Sequence, residues 1–440
     1  MNSTKESILR PKKRIFGGVS VNHCKNTANK SAVIMPAPAV VKIPLKQNIG
    51  APCEPLVKVG DTVCVGTKIG DTTAPVSVPV HSSVSGVVKE ITEGPNAAVV
   101  IESDGLMTNE TFFLPKADTA EDIIAACRES GLVGLGGAGF PAHLKLAGAL
   151  KPQVDTLIIN GAECEPYITG DYRTCIDNFD DVINGVYLLR EKFGFKKVII
   201  AIEGNKPLAL RKLYEIASDK RDADDTVKLM RLKTRYPQGA EKTIVYTTTG
   251  RVIPFGKFPS DVGCLVMNIT SVATLHKYLR TGEPLTAKSI TVDGNAANMP
   301  QNVIVPVGTS VQDVIDFCGG FAEDTEKILL GGPMMGNAVV SPTAVITKQC
   351  GSILGFRAIP QLKTTPCIKC GKCASTCPMR LTPAAVESAL NRNNTEQLAA
   401  LNINYCMECG CCSFACPAGR PLTQSMRTAK SVLRRNNNAK

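Results

Sequence analysis

Apolar residues between about 120 and 250 alternate between short continuous runs and helix-spaced segments. Continuous runs of Val, Ile and Leu predict strands buried on both faces, whereas an apolar period near 3.6 residues predicts helices. Strands that alternate with helices predict a parallel sheet whose two faces are covered. We expect strands at 155–160, 197–203 and 227–232, and helices at 122–130, 178–193 and 207–218.

A different texture, of short Val and Ile runs punctuated by Gly and Pro, predicts brief strands and tight turns between 39 and 101. The runs at 57–63 and 79–88 resemble the barrel-sandwich hybrid of lipoyl and biotinyl domains. Those domains carry a modified Lys at the tip of a hairpin. The same region here holds His81 and no Lys, so we expect a structural module rather than a swinging arm.

The remaining segments complete a multidomain α/β chain. Strand-like runs at 288–292, 303–305 and 327–330 with a helix at 309–318 resemble a β-grasp module of the soluble-ligand-binding type. The predicted units are an N-terminal arm (1–38), the barrel-sandwich hybrid (39–110), the parallel-sheet α/β domain (111–255), the β-grasp module (256–350), a helical cysteine-rich module (360–425) and a tail (426–440).

The composition of the chain argues against several classes of function. The 440 residues carry a net charge of +11, no Trp and 5% aromatic residues, which does not match the basic, aromatic-lined surface of a nucleic-acid-binding protein. An uninterrupted apolar stretch of about 18 residues, long enough to span a membrane, is absent from the sequence. The polar, basic segment 1–13 lacks the apolar core of a secretory signal, so we expect a cytoplasmic protein.

Two cysteine runs near the C-terminal end share one spacing. Each has the form C-x2-C-x2-C-x3-C-P, with which bacterial two-cluster ferredoxins hold [4Fe–4S] clusters. The first three cysteines of a run bind one cluster and the fourth binds the other, so two runs predict two clusters. The predicted ligands are Cys367, Cys370, Cys373 and Cys416 for one cluster, and Cys377, Cys406, Cys409 and Cys412 for the other.

Zinc and disulfide interpretations of these cysteines fit less well. Zinc sites with two Cys pairs lack the third cysteine and the Cys-Pro of each run, and disulfide scaffolds belong to small secreted chains. Cys411 is a spare cysteine, since the period of three from Cys406 and Cys409 falls on Cys412. The cysteines outside 367–416 are scattered singly and are expected to be small buried hydrophobes.

A second candidate site is the glycine-rich stretch Gly134–Pro141. It satisfies G-x-G-x-x-G, but the dinucleotide fingerprint also requires a strand immediately before it, and a helix is predicted there. Bare backbone followed by a helix at 141–150 suits close approach of a phosphate or flat ring, with Lys145 facing it. A tight turn between packed helices explains the glycines alone equally well.

Neighbouring motifs favour the ligand interpretation. The loop Gly136–Pro141, the segment Asn160–Pro166 (Asn-x-x-Glu-x-Glu-Pro) and the turn Gly239–Glu241 resemble the flavin-binding subunit of respiratory complex I. The order of modules, together with the segment 44–52 and the cysteine runs, is similar to the C subunits of Rnf-type ion-translocating oxidoreductases. This resemblance covers about residues 15–425. The sequence departs from the complex I pattern at Val133, Leu135 and Ala162.

The resemblance implies roles for individual residues. Glu165 is similar to the carboxylate that meets the nicotinamide nucleotide, and Phe140 would border its ring; these are the candidate catalytic residues. The domain at 111–255 is thereby expected to bind FMN and NAD(H). The residues that would bind the cofactor are Gly134, Gly136, Gly137, Lys145, Asn160, Glu163, Gly239, Glu241 and Asn268.

The two candidate sites together predict an electron circuit. Nicotinamide nucleotides transfer hydride whereas iron–sulfur clusters carry single electrons, and a flavin connects the two. The resemblance implies a peripheral cytoplasmic subunit on the inner face of the cell membrane. It would pass electrons from a ferredoxin-accepting iron–sulfur subunit of an Rnf-type membrane complex to NAD⁺, while membrane partners move Na⁺ or H⁺. The alternatives are a non-enzymatic iron–sulfur adaptor and the diaphorase subunit of a soluble hydrogenase or formate dehydrogenase.

Overall fold

The computed structural model describes residues 8–214, 225–341, 343–359 and 363–438. Its N-terminal arm lies along other parts of the protein and adds a short strand to each of two sheets. Strand β1 (Ile8–Leu9) pairs in parallel with residues 229–230, and β2 (Val33–Ile34) pairs in parallel with residues 303–304. The arm therefore contributes a strand to the five-stranded sheet that contains residues 229–230 and another to the six-stranded sheet that contains residues 303–304.

Two antiparallel sheets, of four and three strands, make up the barrel-sandwich region. Burial alternates along Val40–Pro44, as expected for a strand with one face on a core. His81 is buried here rather than exposed at a hairpin tip, and burial lowers the pKa of its imidazole. The strands are β3 (Val40–Pro44), β4 (Glu54–Pro55), β5 (Thr62–Val63), β6 (Lys68–Asp71), β7 (Val80–His81), β8 (Gly86–Thr92) and β9 (Ala98–Ser103).

The α/β region contains the predicted parallel sheet, with strand order β1-β12-β11-β10-β13. The sheet continues past the predicted boundary at residue 255, because Cys264–Asn268 pairs with Thr156–Asn160. Its strands are β10 (Thr156–Gly161), β11 (Lys197–Glu203), β12 (Val227–Leu232) and β13 (Cys264–Asn268). Its helices are α1 (Ala120–Glu129), α2 (Ala142–Gly148), α3 (Gly170–Asp177), α4 (Phe179–Phe193), α5 (Pro207–Tyr214), α6 (Glu241–Thr249) and α7 (Ile269–Thr281).

A mixed six-stranded sheet follows, in the order β17-β16-β18-β14-β15-β2. One helix packs on it through Val311, Val314 and Ile315, which are buried with the inward-facing residues of the central strands. Ser310 caps this helix by accepting a hydrogen bond from the Asp313 amide. The elements are β14 (Ala287–Asp293), β15 (Gln301–Pro306), α8 (Val311–Phe317), β16 (Lys327–Leu330), β17 (Asn337–Ala338) and β18 (Ser352–Phe356).

The cysteine-rich region, described over residues 363–438, consists of helices joined by irregular loops. A small core of buried side chains, including Val386, Leu398, Ile403 and Met426, holds its two longer helices together. The helices are α9 (Lys372–Ser375), α10 (Pro383–Asn391), α11 (Thr395–Ala400), α12 (Cys411–Phe414) and α13 (Leu422–Asn438). None of the helices among the residues that the structure describes is long and apolar enough to cross a membrane.

Candidate functional site

The parallel sheet has a topological switch point at β10. From β10 the chain continues to β11 and β12 on one side, and then returns to β13 on the other side of β10. Asn160 and Asn268 are paired in register at the carboxyl ends of these two strands. Ligands of open parallel sheets bind in the crevice that such a reversal creates, so Asn160 and Asn268 mark the expected position of a site.

The glycine loop lies at this crevice. Its base is closed by a hydrogen bond from the Gly134 amide to the Phe140 carbonyl (2.9 Å), and the Leu135 amide donates to the Ser271 hydroxyl at the start of α7 (3.2 Å). A Cβ at Gly136 would lie 2.5 Å from Asn268 Nδ2, whereas a Cβ at Gly137 would meet open space. The loop thus rests on Asn268, residues 136–138 are exposed, and Gly136 and Gly137 present bare backbone.

Helix α1 precedes the loop, as expected, so the loop is not the first turn of a dinucleotide-binding βαβ unit. The apolar residues that depart from the complex I pattern, Val133 and Leu135, are buried in the main core. Their side chains contribute to packing beneath the loop and not to its exposed face.

Two polar pairs surround the crevice. Lys145, from α2, lies 2.7 Å from the Glu241 carboxylate at the start of α6, and both side chains are partly exposed. The Asn160 side-chain amide donates to the Gly239 carbonyl at 2.8 Å. A Cβ at Gly239 would lie 2.0 Å from the Ala162 carbonyl oxygen, so this backbone approach requires glycine. All four predicted residues are therefore brought to the same end of the sheet.

The Asn268 side chain has two partners in the protein. Its oxygen accepts a hydrogen bond from the Ser271 amide and so caps α7, while its Nδ2 donates to Asp171 at 2.8 Å. Asp171 also accepts a hydrogen bond from the Thr270 hydroxyl. Asp171 and Ser271, which were not predicted from the sequence, hold Asn268 beneath the glycine loop.

Glu163 is buried and caps a helix. Its carboxylate accepts hydrogen bonds from the Asp171 amide (2.8 Å) and the Tyr172 amide (3.4 Å) in the first turn of α3. Burial raises the pKa of Glu163 to about 7, against the attraction of the Lys25 ammonium 3.9 Å away. Burial likewise lowers the pKa of Lys25. Glu163 therefore ties the segment after β10 to the first turn of α3.

Glu165 faces a different neighbour. Its Oε2 accepts a hydrogen bond from the Met334 amide at 3.1 Å, while its Oε1 is buried without a hydrogen-bond partner. Burial raises the pKa of Glu165 to about 7. Phe140 is half-buried at the end of the glycine loop, with its ring 6.2 Å from that of Phe258. The two candidate catalytic residues thus have separate surroundings within the described structure.

The predicted cluster ligands fall into two groups of four. One cavity, of ≈ 280 Å³, is lined by the first predicted quartet, Cys367, Cys370, Cys373 and Cys416. A second, smaller cavity, of ≈ 20 Å³, is lined by the other quartet, Cys377, Cys406, Cys409 and Cys412, and by Cys411. The described residues contain no group of three or more His, Cys, Asp or Glu side chains arranged to hold a single metal ion.

The two cysteine loops repeat one backbone conformation. Lys369 and Glu408, each just before the second cysteine of a run, both have φ of 56°. The glycines just after those cysteines, Gly371 and Gly410, have φ of 73° and 82° and begin α9 and α12. Left-handed residues turn successive backbone amides inward, and the Glu408 amide donates to Cys406 Sγ at 3.3 Å. The four predicted thiols that line each cavity, together with amide donors, are the groups that cluster ligation requires.

Cys411 lies outside both predicted quartets and is 1% exposed. It packs with Val19, Tyr236 and Cys409, where the cysteine-rich region meets the α/β region. The Tyr236 hydroxyl donates to the Cys409 carbonyl at 2.8 Å, and a Cβ at Gly410 would lie 2.8 Å from the Met334 carbonyl. The spare cysteine is thus a small buried side chain at this contact, for which the sequence held no signal.

These features define the class of the protein: an α/β domain with a glycine-lined crevice at its switch point, joined to a helical module with two cysteine quartets. Comparison with known families extends this description. Residues 127–277 match the Nuo51 FMN-binding domain, residues 13–106 the RnfC barrel sandwich hybrid domain, and residues 289–338 the SLBB domain.

Relatives aligned over most of the chain give the family. The C subunit of the proton-translocating ferredoxin:NAD(+) oxidoreductase of Clostridium ljungdahlii is 39% identical over 408 residues, which cover 89% of this chain and 87% of the relative. The C subunit of the Na(+)-translocating ferredoxin:NAD(+) oxidoreductase of Acetobacterium woodii is 41% identical over 406 residues, 89% of this chain and 90% of the relative. The chain belongs to the RnfC family of ion-translocating ferredoxin:NAD oxidoreductase complexes.

The fold is also similar to that of a chain in solved structures of NAD⁺-reducing [NiFe]-hydrogenase. The H2-reduced form aligns with a TM-score of 0.51 at 19% identity, covering 71% of this chain and 63% of that chain. The air-oxidized form aligns with a TM-score of 0.50 at 20% identity, covering 65% and 55%. At this level of identity the likeness concerns the fold alone.

Proposed function

We propose that this chain passes electrons between two [4Fe–4S] clusters and NAD(H) through FMN bound in the switch-point crevice. It would act as a peripheral subunit, on the cytoplasmic face, of a membrane complex that couples ferredoxin oxidation and NAD⁺ reduction to movement of Na⁺ or H⁺. The observation that carries the proposal is the convergence of the glycine loop, Asn160 and Asn268 at the switch point of the sheet. Ion movement belongs to the partner subunits in this scheme.

The crevice has the features that FMN requires. Bare backbone at Gly136 and Gly137 admits a flat ring or phosphate, and open space lies where a Cβ of Gly137 would stand. Lys145 supplies a partly exposed ammonium that can exchange its contact with Glu241 for a phosphate. Gly134, Asn160, Gly239 and Asn268 would shape the pocket, and Glu163 would hold its wall through α3. Bound FMN supplies the ability to accept hydride and to release electrons singly.

Phe140 and Glu165 are the proposed contacts to the nicotinamide nucleotide. Phe140 ends the glycine loop, so its ring can border a nicotinamide placed over that loop. Glu165 has one carboxylate oxygen without a protein partner, and such an orphaned buried acceptor is suited to a ligand hydroxyl or amide.

Two electron centres fit the stoichiometry of hydride transfer. One hydride removed from NADH carries two electrons, one for each of two clusters, and a proton is released to solvent. The reverse process takes one electron from each cluster and one proton from solvent to form NADH from NAD⁺. The Cys quartets of the two cavities would hold the clusters as assigned, with amides such as that of Glu408 donating to cluster sulfurs.

The positions of the quartets suggest the direction of the path. The quartet with Cys377 and Cys409 lies next to the α/β domain, since Tyr236 donates to the Cys409 carbonyl. Cys367 and Cys370 are exposed, within a continuous exposed stretch at 363–372. This stretch carries three lysines, which favour an acidic iron–sulfur partner by charge complementarity. Electrons would enter at the exposed quartet and leave through the inner one.

Anaerobic addition of NADH to the purified, cofactor-loaded chain tests the proposal. We expect the flavin absorbance to bleach and cluster signals to appear afterwards in electron paramagnetic resonance spectra. A chain that binds FMN and iron but shows no bleaching with NADH would instead be an adaptor between other subunits. A chain that binds no FMN would contradict the proposal that the crevice is a flavin site.

A further inference from the structure

The N-terminal arm contains a segment, residues 16–25, that touches three parts of the proposed circuit; we call it the bridging segment. Its first contact is with the inner cysteine quartet. The Gly18 amide donates to the Thr376 carbonyl at 2.8 Å, directly before Cys377. A Cβ at Gly17 would lie 2.7 Å from the Thr376 oxygen and 2.8 Å from the Cys377 carbonyl carbon. Only glycine allows this approach to the cluster loop.

The second contact is with the edge of the flavin crevice. Val19 and Tyr236 exchange two backbone hydrogen bonds, of 2.8 Å and 3.0 Å. The Arg235 guanidinium donates to the Gly17 carbonyl (2.7 Å) and the Gly18 carbonyl (2.9 Å). The bridging segment is therefore hydrogen-bonded on one side to Thr376, next to Cys377, and on the other to Tyr236, in the segment that leads to Gly239 and Glu241.

The third contact fixes the wall of the crevice. The Lys25 ammonium donates to the carbonyls of Glu163, Glu165 and Ile168, and the Tyr167 amide donates to the His23 carbonyl at 2.9 Å. A buried ammonium stabilises this irregular backbone by satisfying three acceptors at once. The segment at 163–168 carries the candidate residues Glu163 and Glu165, so its position depends on the arm.

We propose that the bridging segment positions the inner cluster relative to the flavin, with Gly17, Gly18 and Arg235 as positioning residues for electron transfer between them. This inference rests on the proposed function. The rate of electron transfer through protein falls steeply with the distance between centres. Hydrogen bonds from one short segment to both Thr376, the residue before Cys377, and Tyr236 hold that distance more tightly than packing alone, because each end is fixed by directional contacts.

Stopped-flow reduction of the full, cofactor-loaded chain by NADH separates the two steps. In Gly17→Ala we expect unchanged bleaching of the flavin, unchanged iron and FMN content, and cluster reduction slowed by about tenfold or more. Gly194→Ala is the matched control: Gly194 has φ of 65°, close to the 59° of Gly17, but its Cβ would meet nothing within 4 Å. Equal cluster-reduction rates in the two variants would overturn the proposal.

Arg235→Gln gives a second, milder variant that leaves the glycines in place. It should slow cluster reduction in the same direction as Gly17→Ala, because it removes the hydrogen bonds to two arm carbonyls. Loss of iron from both variants would overturn the proposal in favour of a purely structural role.

Hydrogen–deuterium exchange provides a readout that does not depend on electron transfer. Both Gly17→Ala and Arg235→Gln should speed exchange at the Gly18, Val19 and Tyr236 amides, whereas Gly194→Ala should not. If NADH fails to bleach the flavin even in the unmodified chain, the proposed function falls. Hydrogen–deuterium exchange then still tests whether Gly17 and Arg235 hold the arm against Thr376 and Tyr236. Unchanged protection of the three amides in both arm variants would refute that role.

Discussion

The Tyr236 hydroxyl donates a hydrogen bond to the Cys409 carbonyl oxygen across 2.8 Å. Tyr236 begins the segment that reaches Gly239 and Glu241 at the crevice, and Cys409 belongs to the inner cysteine quartet. Both residues are buried, where a hydrogen bond is stronger than in water, and the bond links the cysteine-rich region to the segment that leads to the crevice. The bond brings together two residues that are 173 positions apart in sequence.

Gly137→Ala distinguishes a ligand-binding loop from a tight turn. Its added methyl meets nothing in the protein and needs no left-handed φ, so the fold should tolerate it. If FMN lies over the loop, the methyl occupies ligand space, and we expect the FMN dissociation constant to rise by about tenfold or more. Fluorescence titration with FMN measures the constant, and thermal unfolding of the same samples checks the fold.

Gly136→Ala is the companion variant. Its methyl would lie 2.5 Å from Asn268 Nδ2, so this change should lower the unfolding temperature as well as weaken FMN binding. A Gly137→Ala protein that binds FMN as tightly as the unmodified chain would support the tight-turn interpretation.

The sequence patterns predicted the bounds of two central strands. Lys197–Glu203 was found because its burial on both faces leaves a continuous apolar run. Val227–Leu232 also has the predicted bounds, although its Arg231 is exposed. Helix Gly170–Asp177 was not predicted, since several of its buried residues are polar and form no apolar stripe. The place of Cys264–Asn268 in the parallel sheet depends on strand order, which local patterns do not encode.

Residues of the candidate site were likewise predicted only where a local sequence pattern marks them. The glycine loop and the cysteine runs carry local spacing signals and were found. Lys25 and Ser271 were not found, because they contact the site from 138 and 136 residues away in sequence. Gly17 and Gly18 are visible in the sequence, but their role depends on Thr376 and Tyr236, which only the folded chain brings to them.

Lys145→Ala should weaken FMN binding, since it removes the ammonium proposed to meet the phosphate. Hydrogen bonds to charged groups contribute about 1.5–3 kcal/mol, so the dissociation constant should rise by about 10- to 100-fold. Lys151→Ala is the control, because Lys151 also forms a partly exposed ion pair, with Asp261, on the segment after α2. Equal FMN affinities for the two variants would exclude Lys145 from the phosphate site.

Cys373→Ala should remove one cluster and leave FMN bound, because its quartet lies away from the crevice. Iron content should fall from about eight to about four atoms per chain. Cys411→Ala should keep about eight, since Cys411 is a packing residue outside both quartets. Iron assay and electron paramagnetic resonance of anaerobic samples measure both. Four irons in the unmodified chain, or iron loss in Cys411→Ala, would contradict the assignment.

Glu163 should make stability depend on pH. Burial raises its pKa in the folded chain to about 7, from 4.5, so between these values the folded state binds more protons than the unfolded state. Its favourable contribution is therefore present at low pH and lost as the pH rises through that window. Burial outweighs the nearby charges: the ammonium groups of Lys25 and Lys206 lower the pKa of Glu163, and the Asp171 carboxylate raises it.

Glu163→Gln cannot titrate and keeps an oxygen that accepts the hydrogen bond from α3. The unfolding temperature of the unmodified chain should fall relative to this variant as the pH rises from about 5 to about 7.5. Glu102→Gln, in an exposed ion pair with Lys89, is the control and should show a constant difference. A constant difference for Glu163→Gln as well would show that its carboxyl does not titrate in this range.

Glu165→Gln tests the proposed contact to the nucleotide. Gln can still accept the Met334 hydrogen bond through its oxygen, but its NH2 replaces the carboxylate oxygen that has no protein partner. If that oxygen receives a ligand hydrogen bond, kcat/KM for NADH oxidation should fall by about tenfold, the cost of about 1.4 kcal/mol. The FMN content and the iron spectrum should stay unchanged, because neither cofactor is held by this carboxylate. A role confined to fixing the turn at Met334 would instead lower the unfolding temperature and leave the kinetics with NADH as they are.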